Sequence, residues 1–423
     1  MLSSVLKIAY SYLPLTFILL FNFAVAGWLI FIGETRGLAW SSVGNLVMVG
    51  IFILFFVLLL VIAIKVQQQS PVHRDLDYFI SLIIPVYNED QHIYNVLKNI
   101  EKSDFPRSQM EIIIINDGST DNSLNEIQRF QKQYNGEVYI MNFKSNKGKK
   151  AGLVSGFKKA KGEVLITIDS DTFLEVNSVT NLLMFFDKNT AAVSGYTNVY
   201  NASDNVLTRI QGYEYFISHH LFKAFESHYS SVLCCPGCFS GYRREPINNV
   251  LEKFIESKVF RFPIDYGEDR YLTSLLIKNN YQVKYASTAR ASTIVPNRLM
   301  PFITQRIRWV KSWFINSIYL IRTSFKKPIF FTSYFLLSFI FNILIVSIPV
   351  LLAYLLFTGQ MVIFVHSAYI ILLYIIFHFW KTKILNILDP VRFFVFTIMI
   401  YSWLIVWAVS KVNDKSWGKR ANN

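Results

Sequence analysis

The sequence predicts an α/β domain built on a mostly parallel sheet and set between hydrophobic segments long enough to span a bilayer. Three observations carry this. Successive strand-loop-helix units run from Ile80 to Ala160, the strand they feed ends in paired carboxylates, and long apolar runs lie on both sides. The strand is Val164–Ile168, and it delivers Asp169, Ser170 and Asp171 in a row. Alternate side chains of a strand share a face, so Asp169 and Asp171 emerge together at its carboxyl end, where open α/β sheets bind ligands. No basic residue adjoins them. Two carboxylates after so apolar a run suit a hard divalent cation shared with a diphosphate. An isolated D-x-D is a weak motif, and the rest of the chain supplies its weight.

The flanking runs follow from composition. With 52% hydrophobic residues and 37 Phe in 423 positions, and a mean hydropathy of +0.34, the chain is more apolar than a soluble protein. The excess is concentrated at Ile8–Ile32, Val43–Ile64, Ile329–Phe357, Met361–Trp380 and Val391–Ser410. Each is near or beyond the roughly 20 residues that cross a hydrocarbon core. The first is too long for a signal peptide, lacks a small-residue cleavage site and is soon followed by a second run, so it reads as a retained anchor. The intervening segment, Lys65 to Lys327, is long enough for a catalytic domain with its own core. It carries most of the +14 net charge. Lys65 and Arg74 beside the second run favour a cytoplasmic location for this segment. The basic excess fits a membrane-apposed face or an attraction for nucleotide-sugar phosphates; nucleic acid is not the expected partner of a multi-span chain. Cys234, Cys235 and Cys238 give at most three zinc ligands, with His219, His220 and His228 upstream. Reduced thiols are the expectation, and a disulfide framework is excluded by compartment and number.

Taken in order, Ile80–Asp90 opens with an apolar run around Pro85 and ends in polar residues, a buried strand with its functional loop. Ile93, Val96, Leu97 and Ile100 then repeat at helical spacing. A second strand, Ile112–Ile115, leads to an Asp117-Gly118 turn, with Ser119 or Asp121 placed to cap a helix reaching about Tyr134. A third strand, Val138–Phe143, precedes Lys149 and a helix of about Lys150 to Ala160. These connections bring Tyr87, Glu89, Asp117, Lys149, Asp169 and Asp171 to one sheet edge. Singly each has an ordinary reading: Asp117 as a turn former, Lys149 as part of a solvated basic run. Their joint delivery to one edge is the signal.

Downstream, Asn205–Phe225 has amphipathic helical character, and Val232–Arg244 reads as a glycine-containing loop around the cysteines. Glu268 and Asp269 begin a helix bearing Leu272, Leu275 and Leu276, either as dipole-favoured residues or with Asp269 as a general base. Gln305, Arg308 and Trp309 share one face of a later helix. That face could equally mark a bilayer interface.

These motifs together, P-x-Y-N-E (Pro85–Glu89), N-D-G-S (Asn116–Ser119), N-x-G-K (Asn146–Lys149), D-S-D, G-E-D-R (Gly267–Arg270) and Q-x-x-R-W (Gln305–Trp309), resemble those of the processive, inverting family-two glycosyltransferases. That group includes chitin, chitooligosaccharide, hyaluronan and cellulose synthases, and the resemblance covers about Ser81 to Ser324. It implies a GT-A-type, Rossmann-like cytosolic glycosyltransferase domain embedded between N- and C-terminal transmembrane helices. By resemblance, Tyr87, Glu89, Asp117 and Lys149 hold uridine and phosphates. Asp169 faces ribose or metal and Asp171 ligates Mg2+ or Mn2+. Asp269 is the base, Gln305 and Arg308 meet the departing pyrophosphate, and Trp309 stacks the acceptor sugar. Cys238 and Glu268 line the acceptor site beside Asp269. The cysteine loop, G-E-D-R and Q-x-x-R-W stretches look most like chitin and chitooligosaccharide synthases, while Ser416–Arg420 resembles the ending of hyaluronan synthases.

The expected protein is a multi-pass plasma-membrane enzyme that polymerises β-linked N-acetylglucosamine from UDP-N-acetylglucosamine and passes the chain through its own spans. Its growing acceptor is a polysaccharide, and UDP-glucuronate is a second donor if it is a hyaluronan synthase. A single transfer to a lipid carrier fits less well, because it needs no acceptor platform such as Trp309. A non-catalytic scaffold or export partner would not be expected to retain Asp169, Asp171 and Asp269 together. The expected organisation is two spans in 1–66, the catalytic domain in 67–300, an interfacial helix in 301–327, C-terminal spans in 328–411 and a basic tail in 412–423. Lys411, Lys415, Lys419 and Arg420 argue for an inside tail, which three full spans would not allow. A re-entrant or interfacial element within Ile384–Ser410, interrupted at Pro390, reconciles the two.

Overall fold

The computed structural model describes residues 54, 57–67, 77–256, 258–259, 262–263, 267–344, 362–384, 386–397 and 400. The chain divides into two compact units. The larger contains Lys65–Tyr319, and the smaller contains the described parts of Met1–Ile64 and Leu320–Ser410.

In the larger unit β1 (Ile80–Val86), α1 (Ile93–Ile100), β2 (Met110–Asn116), α2 (Ser123–Gln133), β3 (Glu137–Asn142), α3 (Lys149–Lys159) and β4 (Val164–Ile168) alternate as the sequence predicts. Then follow β5 (Thr172–Leu174), α4 (Ser178–Leu183), β6 (Thr190–Val199), α5 (Val206–Ile217), a π-helical turn (Ser218–Lys223) and α6 (Ala224–His228). After these come β7 (Phe239–Arg243), α7 (Arg244–Glu256), the short pair β8 (Lys258–Val259) and β9 (Phe262–Pro263), α8 (Glu268–Lys278), β10 (Gln282–Thr293) and α9 (Leu299–Ser324).

The main sheet has eight strands in the order β3-β2-β1-β4-β7-β6-β10-β5. β3, β2, β1 and β4 are mutually parallel. β7 enters antiparallel between β4 and β6, and β10 pairs parallel to β6. β1, β2 and β4 are buried along their whole length, which is why they read as continuous apolar runs rather than as alternation. On α1 the residues at helical spacing, Ile93, Val96, Leu97 and Ile100, are all buried in the core against Leu82, Ile84 and Ile112.

One stretch corrects the sequence reading. Val232–Arg244 is not only a loop, because Phe239–Arg243 forms β7. Its Ser-Gly-Tyr centre lacks the apolar run of the parallel strands, and pairing with β4 and β6 supplies the extended conformation. Of the two expected caps, Asp121 fills the role: Asn122 precedes α2 without a side-chain cap bond, while Asp121 accepts from the Ser123 amide at 3.0 Å and the Asp90 amide at 3.1 Å.

The connection from α4 to β6 turns on Asp187. Its carboxylate accepts from the amides of Asn189 and Thr190 and the Thr190 hydroxyl, and it pairs with Lys284 of β10. Burial alone would raise this carboxyl, but Lys284, Thr190 and Asn189 outweigh it and hold the pKa down from the usual 3.8 to about 2. A depressed folded-state pKa contributes stability above the unfolded value, and that contribution is lost as pH falls toward the folded one. Asp187→Asn is expected to lower stability at neutral pH and to flatten its fall between about pH 4 and 2, read from urea unfolding midpoints across that range.

The smaller unit contains α10 (Ile329–Leu344), α11 (Val362–Thr382) and α12 (Leu388–Phe396), with Pro390 in the first turn of the last, where its missing amide costs no hydrogen bond. Among the residues whose side chains are described, no helix is long and apolar enough to cross a membrane. The run Ile8–Ile32 lies outside the described residues, as do most of Val43–Ile64, the second half of Ile329–Phe357 and most of Val391–Ser410.

Candidate active site

The carboxyl ends of β1 and β2 are laced together. Ser119 Oγ accepts from the Asn88 amide at 3.0 Å, Ser123 Oγ from the Glu89 amide at 2.8 Å, and Asn88 Oδ1 from the Thr120 amide at 2.9 Å. Tyr87 and Glu89 lie half-buried in this loop. Asp117 follows β2 with only 3% of its surface exposed. Its two carboxylate oxygens accept from the amides of Lys147 and Gly148 at 2.7 and 2.8 Å. Burial pushes its pKa up against the opposing effect of those amides. Asp117 therefore holds the loop that presents Lys149, in addition to any contact it makes with a nucleotide.

Lys149 opens α3 and reaches across the sheet end. Its ammonium lies 2.5 Å from Asp169 Oδ1 and 3.6 Å from Glu268 Oε1. Burial works against this charge, yet Asp169 and Glu268 keep its pKa well above the ordinary lysine value. Glu268, expected at the acceptor, thus faces the lysine. Its own pKa is raised by burial, with Lys149 opposing and Asp269 reinforcing. The cysteine loop closes over this group at Gly237, where a Cβ would stand 2.5 Å from Lys149 Nζ and 3.2 Å from Asp169 Oδ1. A larger residue there would push the ammonium off the carboxylate.

Asp269 sits on the other side of the same loop. Its Oδ1 accepts from the Arg270 amide at 2.7 Å, and its Oδ2 lies 3.4 Å from the Gly237 amide and 3.9 Å from Cys234 Sγ. Its backbone carbonyl accepts from Thr273 Oγ1 at 2.7 Å, and Thr273 Oγ1 in turn accepts from the Cys235 amide at 2.9 Å, so one hydroxyl ties α8 to the cysteine loop. Burial pushes the Cys234 and Cys235 thiols up to about 12. The Cys238 thiol is pushed up by burial and by Asp169, Asp171 and Asp269. All three are free thiols that stay protonated at neutral pH, neighbours of the site rather than nucleophiles.

Asp171 accepts from Thr293 Oγ1 at 3.1 Å, a hydroxyl at the end of β10, and its carbonyl accepts from the Ile294 amide at 3.2 Å. Among the described residues no group of three or more His, Cys, Asp or Glu could hold a metal ion. Asp169 and Asp171 nevertheless fit Mg2+ or Mn2+ as a partial oxygen donor set, since such ions keep water and take substrate phosphate oxygens rather than a closed protein cage. Zinc has no complete ligand set among the described residues, and the cysteines are not joined by a histidine in any such group.

α9 brings the remaining candidates. Gln305 and Arg308 are half-buried, and Gln305 Oε1 is buried without a hydrogen-bond partner. Trp309 is 40% exposed, with enough open face to stack a sugar ring. The helix is seated on Gly267, whose carbonyl accepts from Ser312 Oγ at 3.4 Å. Gly267 is the N-cap of α8 at φ +71°, and a Cβ there would meet Ser312 Oγ at 1.9 Å. Gly267→Ala combines a left-handed backbone, costing about 1–2 kcal/mol, with a clash beneath Asp269. The expected result is a lower unfolding midpoint together with a loss of turnover that Gly267→Ala in a Ser312→Gly background partly restores, measured as nucleotide release.

Several residues of the site are absent from the sequence motifs. Lys223, 7% exposed on the π-helical turn, donates to Ser194 Oγ at 3.0 Å and to the Cys234 carbonyl at 2.9 Å. Glu226 accepts from the Leu233 amide at 3.0 Å. Both pin the cysteine loop. Their signal in sequence is faint: a lysine within, and a glutamate just after, the otherwise apolar stretch Leu221 to Phe225. Arg306, between Gln305 and Arg308, is fully buried and paired with Glu214 of α5.

A sheet with this order, carrying paired aspartates after β4 and an acidic helix start opposite them, is the GT-A fold of nucleotide-sugar transferases. A mannosyltransferase from Pyrobaculum calidifontis, solved with GDP-Man and Mn2+, shares it with a TM-score of 0.59, 18% identity and coverage of 84% of this chain and 95% of that one. Residues 127–422 match the chitin synthase family, and the chain belongs to that family of family-two glycosyltransferases. It is 34% identical over 261 residues to the hyaluronan synthase of Streptococcus pyogenes, covering 60% of this chain and 61% of that protein. It is 28% identical over 243 residues to an N-acetylglucosaminyltransferase of Mesorhizobium japonicum, covering 56% and 57%. The matched segment therefore spans about three fifths of these relatives' own length.

Proposed function

We propose that the protein is a membrane-embedded, processive, inverting β-glycosyltransferase that polymerises N-acetylglucosamine from UDP-N-acetylglucosamine, with its catalytic domain on the cytoplasmic side of the plasma membrane. The carrying observation is the convergence of Lys149, Asp169, Glu268 and Asp269 around Gly237. The Lys149 ammonium lies between the Asp169 and Glu268 carboxylates on one side of a loop, with Asp269 against the Gly237 amide on the other, which supports a diphosphate side and a base side. The acceptor hydroxyl oxygen attacks the anomeric carbon, its proton passes to Asp269, and the bond from that carbon to the diphosphate oxygen breaks. Such a displacement needs one base and no covalent intermediate. Lys149 and Arg308 stabilise the charge that develops on the leaving diphosphate more than they stabilise the ground state. Asp171 and Asp169 would hold a divalent cation, which would supply Lewis-acid stabilisation of the same charge. Tyr87, Glu89 and Asp117 position the nucleotide, Gln305 the pyrophosphate, and Trp309 the terminal sugar of the acceptor beside Cys238.

The test is UDP release by the purified, detergent-solubilised protein with UDP-N-acetylglucosamine alone, then with UDP-glucuronate added. Turnover on the first donor with a chitinase-sensitive product is the expected outcome. The likeness to a hyaluronan synthase supports a second reading, in which turnover requires both donors and the product is sensitive to hyaluronidase. Turnover on neither donor would refute both readings of the substrate.

A further inference from the structure

The Q-x-x-R-W motif contains a second arginine with no assigned part, and the structure gives it unusual surroundings. Arg306 is 0% exposed, though it lies on the same helix as the solvent-facing Trp309. Its guanidinium carbon sits 4.0 Å from the centroid of the Trp309 ring and 4.8 Å from that of Phe302. Residues three and four apart are neighbours on a helix, so Phe302, Arg306 and Trp309 form a stack along one face of α9. At the far side of the stack Arg306 Nη2 meets Glu214 Oε2 at 2.6 Å. Glu214 belongs to α5, and its neighbour Tyr215 lies with its ring centroid 6.3 Å from that of Trp309, tilted by 49°. α5 thus meets the tryptophan ring to ring through Tyr215 and, through Glu214, holds the arginine that lies on it.

An exposed indole on a long helix has several rotamers within reach, and a sugar platform works only in one of them. A planar guanidinium lying on one indole face, itself held in plane by a carboxylate from another helix, removes that freedom. Lysine would keep the charge but lose the flat face. We infer that Glu214 and Arg306 are positioning residues that lock Trp309 as the acceptor-stacking surface. The inference rests on the proposed role of Trp309, and it assigns no contact with donor to either residue. Tyr215 flanks the platform, its buried ring tilted against that of Trp309.

The experiment uses the full-length protein in detergent and two conservative variants, Glu214→Gln and Arg306→Lys. Hydroxyl-radical labelling of Trp309, read by mass spectrometry and normalised to the other tryptophans together, is expected to rise about twofold in both. With a chitooligosaccharide primer, the KM for primer is expected to rise by about tenfold while the KM for UDP-N-acetylglucosamine stays within about twofold. Glu214 is partly exposed and Gln keeps its shape, so Glu214→Gln is the milder change and is the variant expected to fold if Arg306→Lys does not. Unchanged Trp309 labelling in Glu214→Gln would overturn the inference. So would equal loss of donor and primer affinity, which marks a general support of the fold. If the unmodified protein turned over no donor, the proposed function would fall, while the labelling result would still decide whether the pair holds the tryptophan.

Discussion

Asp269→Asn should reduce sugar transfer by about 10^3-fold or more while leaving UDP affinity within about twofold, measured by nucleotide release and by calorimetry on the same preparation. The substitution removes the basic oxygen but keeps the side chain's size and its carbonyl acceptor toward the Gly237 amide. The tie from Thr273 Oγ1 runs to the backbone carbonyl and is untouched. The cysteine loop therefore stays in place, and lost activity reports proton removal rather than collapse of the site. Retention of full activity would refute the base assignment. Glu268→Gln is the instructive contrast. Glu268 faces Lys149 at 3.6 Å, so its loss should act on the diphosphate side and raise the KM for donor.

Asp171→Ala should lower transfer by about 10^3-fold and remove its response to Mg2+ or Mn2+ titration, a loss of about 4 kcal/mol in transition-state stabilisation. The aspartate is held from behind by Thr293, so Thr293→Val should shift the cation midpoint upward by a few-fold and leave the maximal rate near that of the unmodified protein. If Asp171→Ala kept an unaltered cation response, Asp169 would be the sole protein ligand. The pairing of Asp169 with Lys149 makes that a real alternative, since a cation arriving at Asp169 must share its carboxylate with, or displace, the ammonium.

Much of this architecture is legible in the chain before folding. The parallel half of the sheet is readable because buried parallel strands must be continuously apolar, as Ile80–Val86, Met110–Asn116 and Val164–Ile168 are. α1 is readable because its buried residues recur at 3.6-residue spacing. β7 is not, because Phe239–Arg243 carries a serine and a glycine whose extended form is imposed by neighbours on both sides. The same division runs through the site. Asp117, Lys149, Asp169, Asp171 and Asp269 occur in motifs whose residue types state their chemistry. Lys223, Thr273, Glu214 and Arg306 do not, because their work is to hold other groups, and that depends on which distant segment arrives beside them.

The sequence by itself determined the fold class, the carboxyl-end placement of the paired aspartates and the identity of the charged groups at the site, because periodicity and motif spacing are local properties of the chain. The tertiary structure alone decided that Glu268 faces Lys149, that Gly237 separates that pair from Asp269, and that Trp309 rests on an arginine anchored to another helix. Those facts join residues from about 30 to more than 100 positions apart. Only packing of the folded chain, in which each buried charge must find a partner, brings them together.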